Sequence, residues 1–126
     1  MTEQMTGRCL CGAVTYRTEG LPLRASHCHC EQCRRSGGSV ALTLAVFNAD
    51  QVTFSGIAMK HVRPTDFATR SFCPECGSHV AFRFDERPEM VAVRSVHLTS
   101  PRKHRLSVIT SHPRRSLGSI WTSICR

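Results

Sequence analysis

Seven of the eight cysteines fall into three tight clusters, and no other feature limits the fold of this chain as much. Cys9-x-Cys11, Cys28-x-Cys30-x-x-Cys33 and Cys73-x-x-Cys76 each bring sulfurs within reach of one ion. Disulfides are the alternative use, and they belong to oxidising compartments. The start, Met1 to Thr6, has no apolar stretch of the secretory kind, so the expected location is cytoplasmic. In that setting, such spacings read as zinc ligands.

"CPECG", Cys73 to Gly77, is the sharpest local signal. Cysteines two residues apart can face one tetrahedral ion, Pro74 stiffens the turn, and Gly77 allows the positive φ that aims backbone N–H groups at sulfur. "CLCG", Cys9 to Gly12, is a tighter half-site with the same trailing glycine. Each pair leads into a probable strand. Two such knuckles facing each other make a closed site of Cys9, Cys11, Cys73 and Cys76. Zinc on four thiolates is coordinatively full and does no chemistry. Its binding energy, of order 10 kcal/mol, clamps distant parts of the chain together.

"SHCHCEQCRRSGG", residues 26–38, holds the remaining clustered sulfurs and two histidines. Cys28, Cys30 and Cys33 on one loop can cap three corners of a tetrahedron. The fourth corner is open to His27, His29, a distant residue or an exchangeable ligand. Extended backbone through Cys28-His29-Cys30 sends alternate side chains the same way, so both cysteines face the ion and both histidines face away. His29 then supports the site from behind, and His27 reads as a solvated loop histidine. Three ligands with one open position is the arrangement of a catalytic zinc. Three thiolates leave the ion with a net negative charge, which makes it a poor activator of water and a better host for sulfur. A substrate thiol in the fourth corner would be held as thiolate, below its free pKa of about 8.5, ready to attack an electrophilic carbon. Arg34 and Arg35 follow at once, and Arg70 precedes Cys73 by three residues. These arginines are candidates for holding substrate carboxylates.

The rest of the 126-residue chain reads as one domain of mostly β structure. Strand-like stretches run over Ala13–Arg17, Val40–Phe47, Val52–Phe54, Ala58–Arg63 with Pro64 as a stop, Thr69–Phe72, His79–Phe84 and Met90–Val96. The one helical hint before residue 90 is Glu31–Ser36, stopped by Gly37-Gly38. Many short strands between turns predict an antiparallel fold of hairpins with little helix. No apolar run approaches membrane-spanning length. The net charge of +8 is uneven. Residues 1–89 hold ten Lys/Arg against nine Asp/Glu, whereas residues 90–126 hold seven Lys/Arg and no acid. The basicity therefore belongs to a tail read as solvated and weakly structured, and nucleic acid is not the expected partner.

"GRCLCGAVTYRTEG", "CHCEQCRRSGG" and "TRSFCPECGSHVAF" follow one another in an order and spacing that resembles the glutathione-dependent formaldehyde-activating enzyme family, which also includes centromere protein V. The resemblance covers about residues 7–96 and involves seven cysteines. It implies a zinc-bound, antiparallel β fold of the tent-like type in residues 1–96, and leaves residues 97–126 as a divergent basic segment. It also implies a structural zinc on Cys9, Cys11, Cys73 and Cys76 and a catalytic zinc on Cys28, Cys30 and Cys33, the same partition as the spacing gives. The activity implied is carbon–sulfur bond chemistry, with glutathione adding to formaldehyde as the founding reaction. In the tail, Pro101, His104 and Trp121 are sparse counterparts of family features in an acid-free setting, and Cys125 reads as a free thiol.

Three functions compete. The leading one is a carbon–sulfur lyase, with two zinc ions per chain, acting on a glutathione-like thiol and a small aldehyde or related adduct. The second is a non-catalytic zinc-binding module whose tail contacts nucleic acid or an acidic partner. The third is a structural protein with both zinc sites closed.

Overall fold

Alternating burial along the chain resolves into two antiparallel sheets in the computed structural model, which describes residues 3–94 and the backbone of residues 98–99. The strands are β1 Gln4–Arg8, β2 Val14–Glu19, β3 Arg24–Cys28, β4 Leu42–Asn48, β5 Val52–Gly56, β6 Lys60–Thr65, β7 Ala68–Phe72, β8 His79–Phe84, β9 Met90–Arg94 and β10 Leu98–Thr99. A short helix, α1 Glu31–Gly37, separates β3 from β4. One turn of 3-10 helix at Ala49–Gln51 carries the chain from β4 to β5. The smaller sheet has the order β10-β1-β2-β5 and the larger β3-β4-β9-β8-β7-β6. The mostly β, antiparallel fold with little helix matches the sequence expectation.

The larger sheet is buried on both faces, and each face has its own core. Between the sheets, Met5, Val14, Tyr16 and Val52 meet Ala45, Phe47, Val80, Val91 and Val93, with Cys9 and Cys73 at the margin. On the other face, Leu42, Leu44, Val46, Phe82 and Ala92 pack with Cys28 and Cys33. Period-two alternation explains the division: Leu44 and Val46 point one way from β4, Ala45 and Phe47 the other. The two cysteine groups thus belong to cores on opposite faces of one sheet.

Several sequence expectations need correction. The run from Val40 enters its strand only at Leu42, and Val40 is 82% exposed. The expected stop at Pro64 fails, because β6 continues to Thr65. β6 is an edge strand whose register shifts between Val62 and Thr65, and an edge or a bulge is where a residue without an N–H is tolerated. The strand expected over His79–Phe84 forms, but period-two alternation breaks at Val80 and Ala81, which both enter the core between the sheets. The cause is a register shift in the β7–β8 ladder between Ser71 and Phe72. β9 ends the described segment at Arg94, so Ser95 and Val96 lie outside the described residues. So do the side chains of residues 98 and 99 and the tail readings at Pro101, His104, Trp121 and Cys125. The backbone of Leu98 and Thr99, from the segment expected to be weakly structured, pairs with Gly7 and Thr6 of β1.

Candidate metal centres

The two knuckles are built alike. In the first, the Cys9 N–H donates to the Val14 carbonyl at 3.0 Å and the Gly12 N–H returns to the Cys9 carbonyl at 3.2 Å. In the second, the Cys73 N–H donates to the Ser78 carbonyl at 3.0 Å and the Gly77 N–H to the Cys73 carbonyl at 2.8 Å. Each turn closes through a left-handed glycine, with φ of 79° at Gly12 and 74° at Gly77, a conformation that a side chain would strain. The first knuckle joins β1 to β2 and the second joins β7 to β8, so the pair bridges the two sheets. The Leu10 N–H reaches across to the Ser78 hydroxyl at 3.0 Å.

The four sulfurs all lie within 4.8 Å of one another. Cys9 and Cys11 Sγ are 3.6 Å apart, and Cys11 and Cys73 Sγ, on different knuckles, 3.8 Å apart. A tetrahedron with zinc–sulfur bonds of about 2.3 Å sets its corners about 3.8 Å apart, so the residues present fit such an ion. The protonation pattern agrees. The Ser78 hydroxyl, with the Cys11 and Ser78 backbone, draws the Cys76 thiol down to about 5. At Cys11 the Ala13 backbone pulls downward, but burial and the Cys9, Cys76 and Cys73 sulfurs push the thiol up to about 12. Four thiols this close cannot all ionise unless a cation sits among them.

The other three cysteines occupy a strand–turn–helix segment, not the loop expected. Cys28 is the last residue of β3, Cys30 is the N-cap of α1, and Cys33 lies in its first turn. The Cys33 N–H donates to Cys30 Sγ at 3.3 Å, and Gly38 closes the helix in the left-handed region at φ 61°. The three sulfurs lie within 4.8 Å of one another, and among the described residues no histidine or carboxylate joins them. Cys28 and Cys33 are buried, while Cys30 is only partly buried.

Neither His27 nor His29 joins the sulfur group, and their ring centroids lie 6.5 Å apart. His27 is not the solvated loop residue expected: it lies in β3, half-buried, with Nδ1 2.8 Å from the Thr43 hydroxyl. The β3–β4 ladder that places Thr43 opposite it had no signature in the sequence. His29 is exposed. The candidate arginines separate. Arg34 is exposed, and Arg35 is exposed and paired to Glu31 at 2.6 Å. Arg70 is 4% exposed, with its guanidinium 4.7 Å from the centre of the Phe82 ring.

Two titratable groups absent from the sequence reading stand near this second cysteine group. Arg94, at the end of β9, and His79, at the start of β8, lie close enough to Arg70 and Cys33 to feel their charges. Burial, then Arg70 and Arg94, lowers His79 to about 4, so its ring is neutral near pH 7. Burial also lowers Arg94, against the pull of Cys33. The one trace in the sequence is an arginine at the position of "MVAVR" that alternates with Met90 and Ala92.

These features define a class: an antiparallel β domain with one four-cysteine and one three-cysteine group, each able to hold a metal ion. No helix among the described residues is long and apolar enough to cross a membrane. The chain belongs to the glutathione-dependent formaldehyde-activating enzyme family, whose model matches residues 4–112. It is similar to a Rhodobacter sphaeroides protein, Northeast Structural Genomics target RhR83, in crystal structure. The identity is 26% and the TM-score 0.63, with 77% of this chain and 92% of that one covered. No protein of curated function matches the sequence.

Proposed function

We propose that this chain is a zinc-dependent carbon–sulfur lyase-type enzyme that joins a glutathione-like thiol to a small aldehyde and cleaves the same adduct in reverse. The carrying observation is the convergence of Cys28, Cys30 and Cys33, three sulfurs within 4.8 Å of one another, with Cys30 only partly buried. A zinc ion held there would offer a fourth corner that stabilises a substrate thiol as thiolate. A second zinc, on Cys9, Cys11, Cys73 and Cys76, would be structural. Family membership supports glutathione and formaldehyde as the reactants.

In the forward direction the thiolate sulfur attacks the carbonyl carbon. A carbon–sulfur bond forms, the carbonyl π bond breaks, and the oxygen takes up a proton to give a hydroxymethyl thioether. No oxidant is needed. The chain's part is to seat the thiol and hold positive charge near it. Both cysteine groups need reduced thiols, which fits the cytoplasm. The test is zinc-edge absorption on zinc-loaded protein, with adduct formation followed by NMR. Saturating glutathione should add one sulfur to the average coordination of the second zinc, and the protein should speed exchange between glutathione, formaldehyde and the adduct. An unchanged spectrum with no acceleration would sink the reading in favour of a closed structural site.

A further inference from the structure

A row of cross-strand partners on the larger sheet changes character as it leaves the core. Val93 of β9 pairs with Ala81 of β8, Ala81 with Ser71 of β7, and Ser71 with His61 of β6. Residues directly opposite each other share a face of the sheet, and Val93 and Ala81 belong to the core between the sheets. The smaller sheet has four strands and ends at β5. Past that edge the facing surface of the larger sheet turns polar. A cleft of about 560 Å³ opens there, lined by Phe54 of β5 and Met59 together with Thr69, Ser71, Ala81 and Arg83.

The polar groups of this cleft are unequally engaged. Arg63 uses both terminal nitrogens: Nη1 donates to the Thr69 hydroxyl at 2.8 Å and to Asp85 at 2.9 Å, and Nη2 to Asp85 at 2.6 Å and to the Asp66 carbonyl at 3.0 Å. The Asp85 carboxylate, also on the cleft, is thereby neutralised. The Thr69 hydroxyl accepts from Arg63 and keeps its own proton to donate. Ser71 is 8% exposed, and its hydroxyl lies 2.7 Å from His61 Nδ1. Arg83 stands directly opposite Thr69 across the β7–β8 ladder, a relation that sets Cβ atoms about 5 Å apart. Among the described residues the ion pairs belong to Arg17, Arg35, Arg63 and Arg87, and no acid pairs with Arg83.

A guanidinium without a counter-ion, beside a hydroxyl with a proton to give, suits a carboxylate. Apolar walls around a few convergent polar groups are the usual make-up of a small-molecule site. We infer that this cleft binds a small monocarboxylate with an apolar body, its carboxylate held by Arg83 and Thr69 and its body packed on Ala81, Phe54 and Met59. One uncompensated positive charge matches one negative charge. The cleft lies on the face of the larger sheet opposite to Cys28 and Cys33, so the site is separate from the proposed thiol chemistry and does not depend on it.

The test titrates the zinc-loaded full chain with three probes and follows backbone amide resonances. The probes are phenylacetate, its neutral counterpart phenylacetamide, and acetate, which lacks the apolar body. Phenylacetate should shift Thr69, Ser71, Ala81 and Arg83 saturably, and both other probes should bind about tenfold more weakly or worse. Arg83→Gln should weaken phenylacetate about tenfold, the loss of one charge-assisted contact, and leave phenylacetamide unchanged. Arg83 is exposed, so this variant should keep the fold. Arg83→Lys should recover part of the loss, and Thr69→Val should weaken phenylacetate a few-fold. Equal binding of phenylacetate and phenylacetamide, or an Arg83→Gln variant that binds phenylacetate as the wild type does, would refute the site. Shifts confined to the residues around Cys28 and Cys33 would refute it too, and would put the carboxylate on the other face of the sheet.

Discussion

The two cysteine groups offer the same ligand in different settings, and the contrast lies in what each connects. Cys9 and Cys11 lie more than sixty residues from Cys73 and Cys76, and the two pairs sit on turns of different sheets. An ion there would close a long loop and fix one sheet against the other. Cys28, Cys30 and Cys33 lie within one strand end and one helical turn. A metal there would join nothing that the backbone has not already joined, and in the proposed function it would add little to the fold and stay available for a ligand. In the proposed function, distance along the chain, more than the number of sulfurs, would separate a clamp from a working site.

The largest expected effect breaks the clamp. Cys76→Ser removes one of the four sulfurs. Zinc at such sites contributes of order 10 kcal/mol, and whole domains are stable by only about 5–15 kcal/mol. The variant should therefore be largely unfolded by circular dichroism. Cys30→Ser should keep its β signal and lose only the second metal. Equal unfolding of both would mean that the three-cysteine group is also structural.

A smaller effect should appear on metal removal. A graded chelator should take the ion from the three-cysteine group first, with little change in β-sheet signal. The four-cysteine group should release its metal only as the sheets separate. The measurement is zinc released against ellipticity during the same titration. A single release step, or one zinc per chain under saturating metal, would erase the proposed distinction between the groups.

The sequence made the cysteine partition legible because each half-site is local and its spacing is set by tetrahedral coordination. Most strands of the larger sheet were legible for a related reason: buried on one or both faces, they read as apolar runs. β1 and β3 were not. "QMTGR" offers one large apolar residue, Met5, and "RASHC" is polar and runs straight into the cysteine motif. Their strand character comes from ladders to β2 and β4, which are tertiary facts. Arg94 was illegible for the same cause. A terminal arginine in "MVAVR" reads as a solvated strand end until the β4–β9 ladder pairs it with Leu44, on the face of the sheet that carries Cys28.

The smallest expected effect concerns the histidines between the cysteines, and it tests the orientation on which the open site depends. His27 and His29 alternate with Cys28 and Cys30, and His27 spends its Nδ1 on the Thr43 hydroxyl. His29→Ala removes an exposed ring and should change stability by less than about 0.5 kcal/mol. His27→Ala loses one hydrogen bond in β3 and should cost about 1 kcal/mol. Both variants should bind the second zinc as the wild type does, whereas Cys33→Ala, which removes a buried sulfur of the group, should not. Metal content after dialysis against a weak chelator reads all three. Loss of the second zinc in His29→Ala would show that the histidine turns inward when metal binds. It would close the fourth corner and leave no position for a substrate thiol.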